Sequence, residues 1–313
     1  MSHFQARNLF YDLYMKQVHM WAKEKGLTGK GVKIAVLDTG IIRQTEFLRK
    51  CVSRLPGSRL WRRNTTDESN DAVGTHGTEV ALLIHLIAPE AIVYDLKTAC
   101  VTGRTLDQYV IDALDCCVET VKPDIINISL GVHRPAGCNG LCDIDEVVND
   151  VADQGILVVA SAGNRGQAGP IACPANAAGA IAVGGASYKK ISSGYDMQVA
   201  DISSWSWRPG KPELLAPSDI PVRVRYYYNL PAWMEITVDE AHLGTSYAAP
   251  YVSGALALLL QLKSRSRNPD RFASDVKSAM VASAKPIRGF PKLAQGNGVI
   301  DISGAASILG VRI

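Results

Sequence analysis

The chain has 313 residues, 47% of them hydrophobic and 20% charged, which is the composition of a globular protein with a substantial buried core. Its formal net charge of +3 and its lack of a long basic run argue against nucleic acid or an anionic membrane as a partner. The longest apolar run, residues 254–260, is too short to cross a bilayer, and the N-terminus lacks the pattern of a secretory signal. Seven cysteines, an odd number, then predict mostly reduced thiols and a cytoplasmic location.

The first part of the chain predicts a helix, a strand and a second helix. Residues 4–21 carry apolar side chains at helical spacing and predict an amphipathic helix that packs on the main body. Residues 32–37 predict a buried strand that ends at Asp38, at the edge where an open parallel sheet gathers its functional groups. Residues 74–87 predict a helix that begins near His76. Taken singly, Asp38 could simply cap a turn, and a histidine at a helix start is usually structural.

Strands and helices continue to alternate through the middle of the chain. The predicted strands are residues 92–97, 125–129 and 156–160, and the predicted helices are residues 105–121 and 143–154. This alternation predicts right-handed βαβ units and therefore a three-layer α/β fold, a doubly wound, mostly parallel sheet with helices on both faces. We expect residues 1–313 to form a single domain, with residues 1–25 as an N-terminal helical extension.

The last third of the chain predicts strands with turns over residues 181–217, a hairpin or exposed flap over 221–238, and two helices, 244–263 and 271–284. The first of these helices begins with Gly-Thr-Ser246-Tyr-Ala-Ala-Pro, in which the proline suits a first helical turn. Free backbone N–H groups and the helix dipole at such a position favour an oxyanion. A serine there is more often a cap than a nucleophile, so the stretch alone is ambiguous.

Two predicted strands end in glycine-containing turns, Ser129-Leu130-Gly131 and Ser161-Ala162-Gly163-Asn164. Their bare backbone could pair with an extended peptide, as in strand addition, and Asn164 could direct its amide at a developing negative charge. Plain tight turns explain the same residues equally well.

Five motifs, taken together, are far more specific than any one of these residues alone. They are Ile-Ala-Val-Leu-Asp38-Thr-Gly, His76-Gly-Thr-Glu-Val, Asn127-Ile-Ser-Leu-Gly131, Val-Val-Ala-Ser-Ala-Gly-Asn164 and Gly-Thr-Ser246-Tyr-Ala-Ala-Pro. Over roughly residues 26–262 the sequence resembles the subtilisin-like serine proteases (subtilases, peptidase S8 family). The resemblance implies the subtilisin-like form of the α/β fold and a serine endopeptidase that works through an acyl-enzyme intermediate.

The resemblance also implies a role for each polar residue of the motifs. Ser246 would attack a peptide carbonyl, and His76 would take its proton and return it to the leaving amine. Asp38 would hold the imidazole in the right tautomer and stabilise its charged form. The side-chain amide of Asn164 and the backbone N–H of Ser246 would form the oxyanion hole.

A protein or peptide substrate would lie extended in a cleft beside the glycine-containing turns. The residues implied for substrate binding are Ser129, Leu130, Gly131, Ala162, Gly163, Arg165 and Ala172. Small side chains would wall the pocket for the residue before the scissile bond, with Ala172 near its floor. Arg165 would stand near the rim, where its charge predicts a preference for an acidic or polar substrate residue.

Several departures from the family pattern refine the expectation. Glu79 and Tyr247 replace the His or Arg and the Met that are common at those positions, and neither change removes a reacting group. We interpret Glu79 as a first-turn acid that faces the helix dipole. The chain passes almost directly from helix to strand between His85 and Pro89, where secreted relatives often have a longer calcium-binding loop, so we expect no calcium site there. We also expect no other metal and no cofactor. With no signal or sizeable pro-segment in view, we expect an intracellular subtilase.

The cysteines leave one question open. Cys138 and Cys142 lie in a loop near the expected cleft, where they could form a disulfide or share a metal with other ligands. We favour two free thiols, and we interpret Cys116 and Cys117 as packing residues on a helix.

Two alternatives to a general endopeptidase remain. The enzyme could process one ribosomally made precursor peptide, or cyclise it, with the flap around residues 226–233 supplying selectivity. It could instead be a gated signalling module in which the N-terminal helical segment occludes the cleft.

Overall fold

The computed structural model describes residues 16–42, 62–66, 72–100, 106–132, 134, 138–166, 170–192, 194–207, 209–218, 225–228, 234–237, 243–263, 266 and 271–310. The predicted helix over residues 4–21 therefore lies partly outside the described residues. Within the described part of the chain, no helix combines the length and apolarity needed to cross a membrane.

The strands and helices follow the predicted alternation. The strands are β1 (Lys33–Asp38), β2 (Arg62–Asn64), β3 (Ile92–Lys97), β4 (Ile125–Ile128), β5 (Leu157–Ser161), β6 (Ala180–Ile191), β7 (Gly194–Val199), β8 (Leu214–Pro217), β9 (Arg225–Tyr228) and β10 (Met234–Thr237). The helices are α1 (Lys16–Glu24), α2 (His76–Ile87), α3 (Asp107–Cys116), α4 (Asp143–Asp153), α5 (Thr245–Leu260), α6 (Phe272–Ser283), α7 (Lys292–Gln295) and α8 (Ile302–Leu309). A π-helical turn over Cys117–Val121 extends α3. The sequence did not predict α8.

The described strands form one large sheet in the order β2-β3-β1-β4-β5-β6-β7, with β8 also paired to β6. The pairs are parallel except for β6 with β7, which run antiparallel. The doubly wound, mostly parallel sheet predicted from the sequence is therefore confirmed. A separate antiparallel pair, β9 with β10, confirms a hairpin within residues 221–238.

Strand β1 shows why the sheet needs helices on both faces. It lies between β3 and β4, and its Ile34 and Val36 pack in a core layer with α2 and α5. The alternate residues Ala35 and Leu37 pack in a second layer with α3 and α4. Because successive side chains of a strand point to opposite faces, an uninterrupted apolar run in the sequence corresponds to burial on both sides.

Helix α5 lies inside the first of these core layers. All of its side chains are buried, and it approaches α2 closely, since a Cβ at Gly254 would lie only 2.8 Å from Ile87 Cβ. Glycine is therefore required at that position. The two helices also meet near their starts, where Tyr247 Oη donates to Glu79 Oε2 at 2.8 Å, which brings the segment that carries Ser246 toward the one that carries His76.

One detail of α5 corrects the sequence analysis. The helix begins at Thr245, so Pro250 is its sixth residue and lies beyond the first turn, where a missing N–H leaves a backbone carbonyl without its helical partner. The carbonyl concerned, four residues earlier, is that of Ser246. It accepts a hydrogen bond from Ser129 Oγ at 2.8 Å instead.

Candidate active site

Asp38 ends β1 at the carboxyl edge of the sheet, and its side chain is fully buried. Its Oδ1 atom accepts a hydrogen bond from the Thr39 N–H at 2.7 Å and lies 2.7 Å from His76 Nδ1. The start of α2 reaches this carboxylate only because residue 77 is glycine. A Cβ at Gly77 would lie 2.6 Å from the Gly40 carbonyl oxygen and 3.2 Å from Asp38 Oδ1.

His76 is the first residue of α2, and Asp38 fixes its ring. With Nδ1 donating to the carboxylate, the neutral ring has its lone pair on Nε2, the tautomer that a general base requires. Burial by itself would lower the pKa of His76, but the charge and hydrogen bond of Asp38, with the charge of Glu79, raise it above its ordinary value. A protonated imidazole at this position is thus stabilised.

Ser246 is the second residue of α5 and is nearly buried. Its Oγ atom lies 2.9 Å from the point that a Cβ on Gly244 would occupy, and Asn164 Nδ2 lies 3.2 Å from the same point. The hydroxyl and the amide nitrogen therefore border one small space, which stays open because residue 244 has no side chain. A reacting carbonyl group is of the size that such a space admits.

Asn164 follows β5, and the geometry of Thr245 settles which way its amide points. Asn164 Oδ1 accepts hydrogen bonds from the Thr245 N–H at 2.8 Å and from Thr245 Oγ1 at 2.9 Å. A backbone N–H can only donate, so the oxygen must face Thr245 and the NH₂ group must face the space beside Ser246. Thr245 Oγ1 also accepts from the Gly163 N–H at 3.0 Å, which holds the two segments together.

A buried network supports the backbone of Ser246. Ser129 Oγ, which donates to the Ser246 carbonyl, accepts a hydrogen bond from Asn127 Nδ2 at 2.9 Å. Asn127 Oδ1 in turn accepts from Ser253 Oγ at 2.8 Å. The Ser129 side chain is buried, and its hydroxyl supports the start of the helix that carries Ser246.

Glu79 and Tyr247 form a contact that the sequence analysis missed. Glu79 is buried, with Oε2 accepting from Tyr247 Oη at 2.8 Å and Oε1 accepting from Thr75 Oγ1 at 2.7 Å. The Tyr247 ring lies 5.4 Å from the His76 ring, centroid to centroid. Glu79 thus joins α2 to α5 beside His76 and is more than an acid facing a helix dipole. The sequence held one signal for this contact, namely that Glu79 and Tyr247 both depart from the family pattern in the same chain.

The residues expected to wall the substrate pocket are brought together in part. A Cβ at Gly131 would lie 2.8 Å from Ala172 Cβ, and the Ala172 N–H donates to the Ala162 carbonyl at 3.0 Å. Ala162 and Ala172 are buried. Arg165 is exposed, and its N–H donates to Ser204 Oγ at 3.1 Å.

The connection from α2 to β3 is as short as predicted, residues 88–91. Cys138 and Cys142, among the described residues, are free thiols, and the structure brings them to Cys173 and Asp145. Cys173 and Asp145 were not predicted as neighbours of these two thiols: Cys173 comes from a separate segment, and Asp145 lies in the first turn of α4, which Cys142 caps.

Comparison with known proteins assigns the family. A family model described as the subtilase family matches residues 29–299. Subtilisin Savinase from Lederbergia lenta is 31% identical over 254 residues, covering 77% of this chain and 80% of that protein. The major intracellular serine protease of Bacillus subtilis (strain 168) is 29% identical over 306 residues, covering 91% of this chain and 85% of the relative. Among solved structures, the prenylagaramide maturation protease PagA has a TM-score of 0.68 and 25% identity, covering 94% of this chain and 98% of that chain.

A mostly parallel α/β sheet with a His–Asp pair at its edge, beside a buried helix with a serine as its second residue, fits a serine hydrolase. The chain belongs to the subtilase family. It is a serine endopeptidase, a hydrolase of peptide bonds, and the predicted family and enzyme class are confirmed.

Proposed function

We propose that Asp38, His76 and Ser246 are the catalytic triad of this endopeptidase and that Asn164 completes its oxyanion hole. The observation that carries the proposal is the 2.7 Å contact between His76 Nδ1 and Asp38 Oδ1, which in the neutral ring favours the proton on Nδ1 and leaves Nε2 as the base. The direction of the Asn164 amide gives independent support, because its Nδ2 and Ser246 Oγ border the same space.

In this mechanism Ser246 Oγ attacks the carbonyl carbon of the scissile bond while His76 Nε2 takes the hydroxyl proton. The carbonyl oxygen becomes an oxyanion that accepts hydrogen bonds from Asn164 Nδ2 and the Ser246 N–H. His76 then gives its proton to the leaving amine, which departs and leaves an acyl-enzyme. A water molecule, deprotonated by the same imidazole, releases the acid product and restores Ser246.

The substrate would be a protein or peptide, bound extended along the backbone of Leu130 and Gly131. Ala162, Gly163 and Ala172 would leave room for the side chain before the scissile bond, with Arg165 at the rim. We expect Arg165→Glu to change the preference at that position away from acidic residues, measured by profiling cleavage sites in a peptide library. An unaltered profile would remove Arg165 from the pocket.

The triad is tested by Ser246→Ala. This variant should lose cleavage of casein and peptide substrates, and it should lose labelling by a fluorophosphonate probe, whose fluoride is displaced when Oγ bonds to phosphorus. Ser307→Ala, a change of an exposed serine on α8, is the matched control and should keep both. Retained labelling at the site in Ser246→Ala would refute the assignment.

A second candidate, a dedicated processing protease or macrocyclase for one precursor peptide, is favoured by the match to the prenylagaramide maturation protease PagA over 94% of this chain. Mass spectrometry of the products separates the two chemistries, because hydrolysis adds a water and transfer to an internal amine does not. Rapid cleavage of unrelated peptides would argue against a dedicated substrate.

The gated-module alternative concerns residues 1–25, which we propose as an extension of one domain spanning residues 1–313. The described part of this extension, α1, buries Val18 and Ala22 in the core layer that contains α2 and α5. We therefore expect deletion of residues 1–25 to lower stability without raising activity. A large gain in activity with unchanged stability would establish gating instead.

We propose a cytoplasmic location. The Bacillus subtilis relative is an intracellular protease by name, and the described cysteines are free thiols. Cell fractionation with an antibody to the chain tests the location, and recovery in the culture medium would contradict it.

A further inference from the structure

Three cysteines and one aspartate from separate segments meet at one point beside the substrate cleft. Cys138 and Cys142 come from the loop before α4, Asp145 from the first turn of α4, and Cys173 from the segment that follows Ala172. Their three sulfur atoms and one carboxylate oxygen all lie within 4.8 Å of one another. Asp145 Oδ2 lies 2.8 Å from Cys138 Sγ and 3.1 Å from Cys142 Sγ, and Cys142 Sγ lies 3.4 Å from Cys173 Sγ.

The hydrogen-bonding capacity of this cluster is poorly satisfied by its own side chains. Asp145 is fully buried, and its Oδ1 atom has no hydrogen-bond partner among the described residues. The partners of Oδ2 in the cluster are thiols, which are weak donors, so a buried carboxylate is held at an energetic disadvantage. A bound cation would supply the partner that Asp145 Oδ1 lacks.

We propose that Cys138, Cys142, Asp145 and Cys173 bind one zinc(II) ion with tetrahedral geometry. Zinc binds thiolate sulfur at about 2.3 Å and carboxylate oxygen at about 2.0–2.2 Å, so sulfur ligands in a regular tetrahedron lie about 3.8 Å apart. To enclose the ion, the three contacts of 2.8, 3.1 and 3.4 Å would widen by less than about 1 Å, and the other separations, all within 4.8 Å, would close by at most about 1 Å.

The donor set selects the kind of metal. Thiolates favour zinc over the hard cations magnesium and calcium, which prefer oxygen ligands. Binding converts the three thiols to thiolates and releases their protons to the solvent. The complex carries an excess of negative charge, and the guanidinium of Arg134, which pairs with Asp107 and lies beside Cys142, partly offsets it.

The position of the ion suggests its role. Cys173 and Val132 pair through two backbone hydrogen bonds of 2.9 and 3.1 Å, and the residues adjacent to them, Ala172 and Gly131, contact each other. An ion on Cys173 would therefore tie the proposed pocket wall to the start of α4. This second step rests on the proposed function, whereas metal binding itself does not.

The metal site is tested on the full chain with Ser246→Ala, which prevents self-cleavage and makes the result independent of activity. Protein expressed with added zinc and purified in a phosphine reductant should contain one zinc ion per chain by elemental mass spectrometry. Replacement by cobalt(II) should give thiolate-to-cobalt charge-transfer bands and the intense visible bands of a tetrahedral ion.

Cys142→Ser should abolish stoichiometric metal, whereas Cys116→Ser, a half-buried thiol outside the cluster, should retain it. Cys142 is the N-cap of α4, a position that serine suits, so the first variant is expected to fold, with circular dichroism as the check. Reversible removal of zinc from the unmodified cluster by a chelator should lower the melting temperature, and re-addition should restore it.

Three results would overturn the site. They are a reduced chain that takes up neither zinc nor cobalt, equal metal content in the two cysteine variants, and a disulfide within the cluster that forms under reductant. In the active enzyme, zinc removal should raise KM about 3- to 10-fold, with a smaller change in kcat. An unchanged KM in a chain that does bind zinc would overturn the link to the substrate pocket.

Discussion

The hydrogen bond from Ser129 to the Ser246 carbonyl can be tested as a replacement for a helical N–H that Pro250 cannot supply. In Ser129→Ala the donor is lost, and the Asn127 amide also loses its acceptor. Leaving buried polar groups unpaired costs about 1–3 kcal/mol, and we expect about 2 kcal/mol of lost stability. With an unfolding entropy of about 2.1 cal/mol/K per residue, this corresponds to a fall of about 3 °C in Tm.

The matched change is Pro250→Ala, which restores a backbone N–H four residues after Ser246. In the double variant this N–H can donate to the same carbonyl, so Ser129→Ala should cost less when residue 250 is alanine. We expect a coupling of about 1 kcal/mol, which exceeds the additivity error of about 0.5 kcal/mol.

The assay is equilibrium unfolding in urea for the four members of this cycle, all carrying Ser246→Ala so that no chain digests another. Equal m-values would show that the variants change stability without changing the compactness of either state. A neutral effect of Ser129→Ala, or additivity of the two changes within error, would show that the Ser129 hydroxyl does not replace the missing helical N–H.

Further predictions concern charge and hydrogen bonding around the site. Asn164→Ala should lower kcat by about 10²–10³, a magnitude measured for the equivalent amide in subtilisin, with KM nearly unchanged; a fall below tenfold would dismiss Asn164 as an oxyanion donor. Glu79→Gln keeps the side-chain shape but removes a charge that raises the pKa of His76, so the acid limb of kcat/KM should move down by about 0.5–1 pH unit. Tyr247→Phe keeps that charge and should move the limb less; equal shifts in the two variants would contradict the electrostatic account. Asp301→Ala removes the side chain that caps α8 and should cost about 1 kcal/mol by thermal unfolding. Burial opposes ionisation of Asp301, yet Lys285 and the cap hydrogen bonds lower its pKa, so its stabilising effect should be lost as pH falls through that depressed value.

Much of the fold could be predicted because the strands are buried on both faces. An unbroken apolar run such as Ile34 to Leu37 is a strong signal when helices of fixed length separate it from the next run. The edge of the sheet was harder to predict. Strand β7 pairs with β6 in the antiparallel direction. This pairing needs only a tight turn, so the sequence contains no crossover helix that would predict it.

Motifs were enough to propose the reacting groups, but they did not reveal the side chains that support those groups. Ser129 and Ser246 are far apart in the sequence, and the residues around each give no sign that the Ser129 hydroxyl donates to the Ser246 carbonyl. The same holds for Glu79 with Tyr247, and for Cys173 with Cys142. Each of these contacts joins segments that only the tertiary fold brings together, so each side chain taken alone resembles an ordinary packing residue.

The complete burial of α5 has a consequence for how this enzyme loses activity on heating. Ser246, the proposed nucleophile, lies on a helix that is buried along its whole length, so its hydroxyl cannot move away from the other proposed catalytic groups unless the core unfolds. Heat inactivation should therefore coincide with global melting, and the amide protons that follow Ser246 along α5 should be among the slowest in the chain to exchange with deuterium.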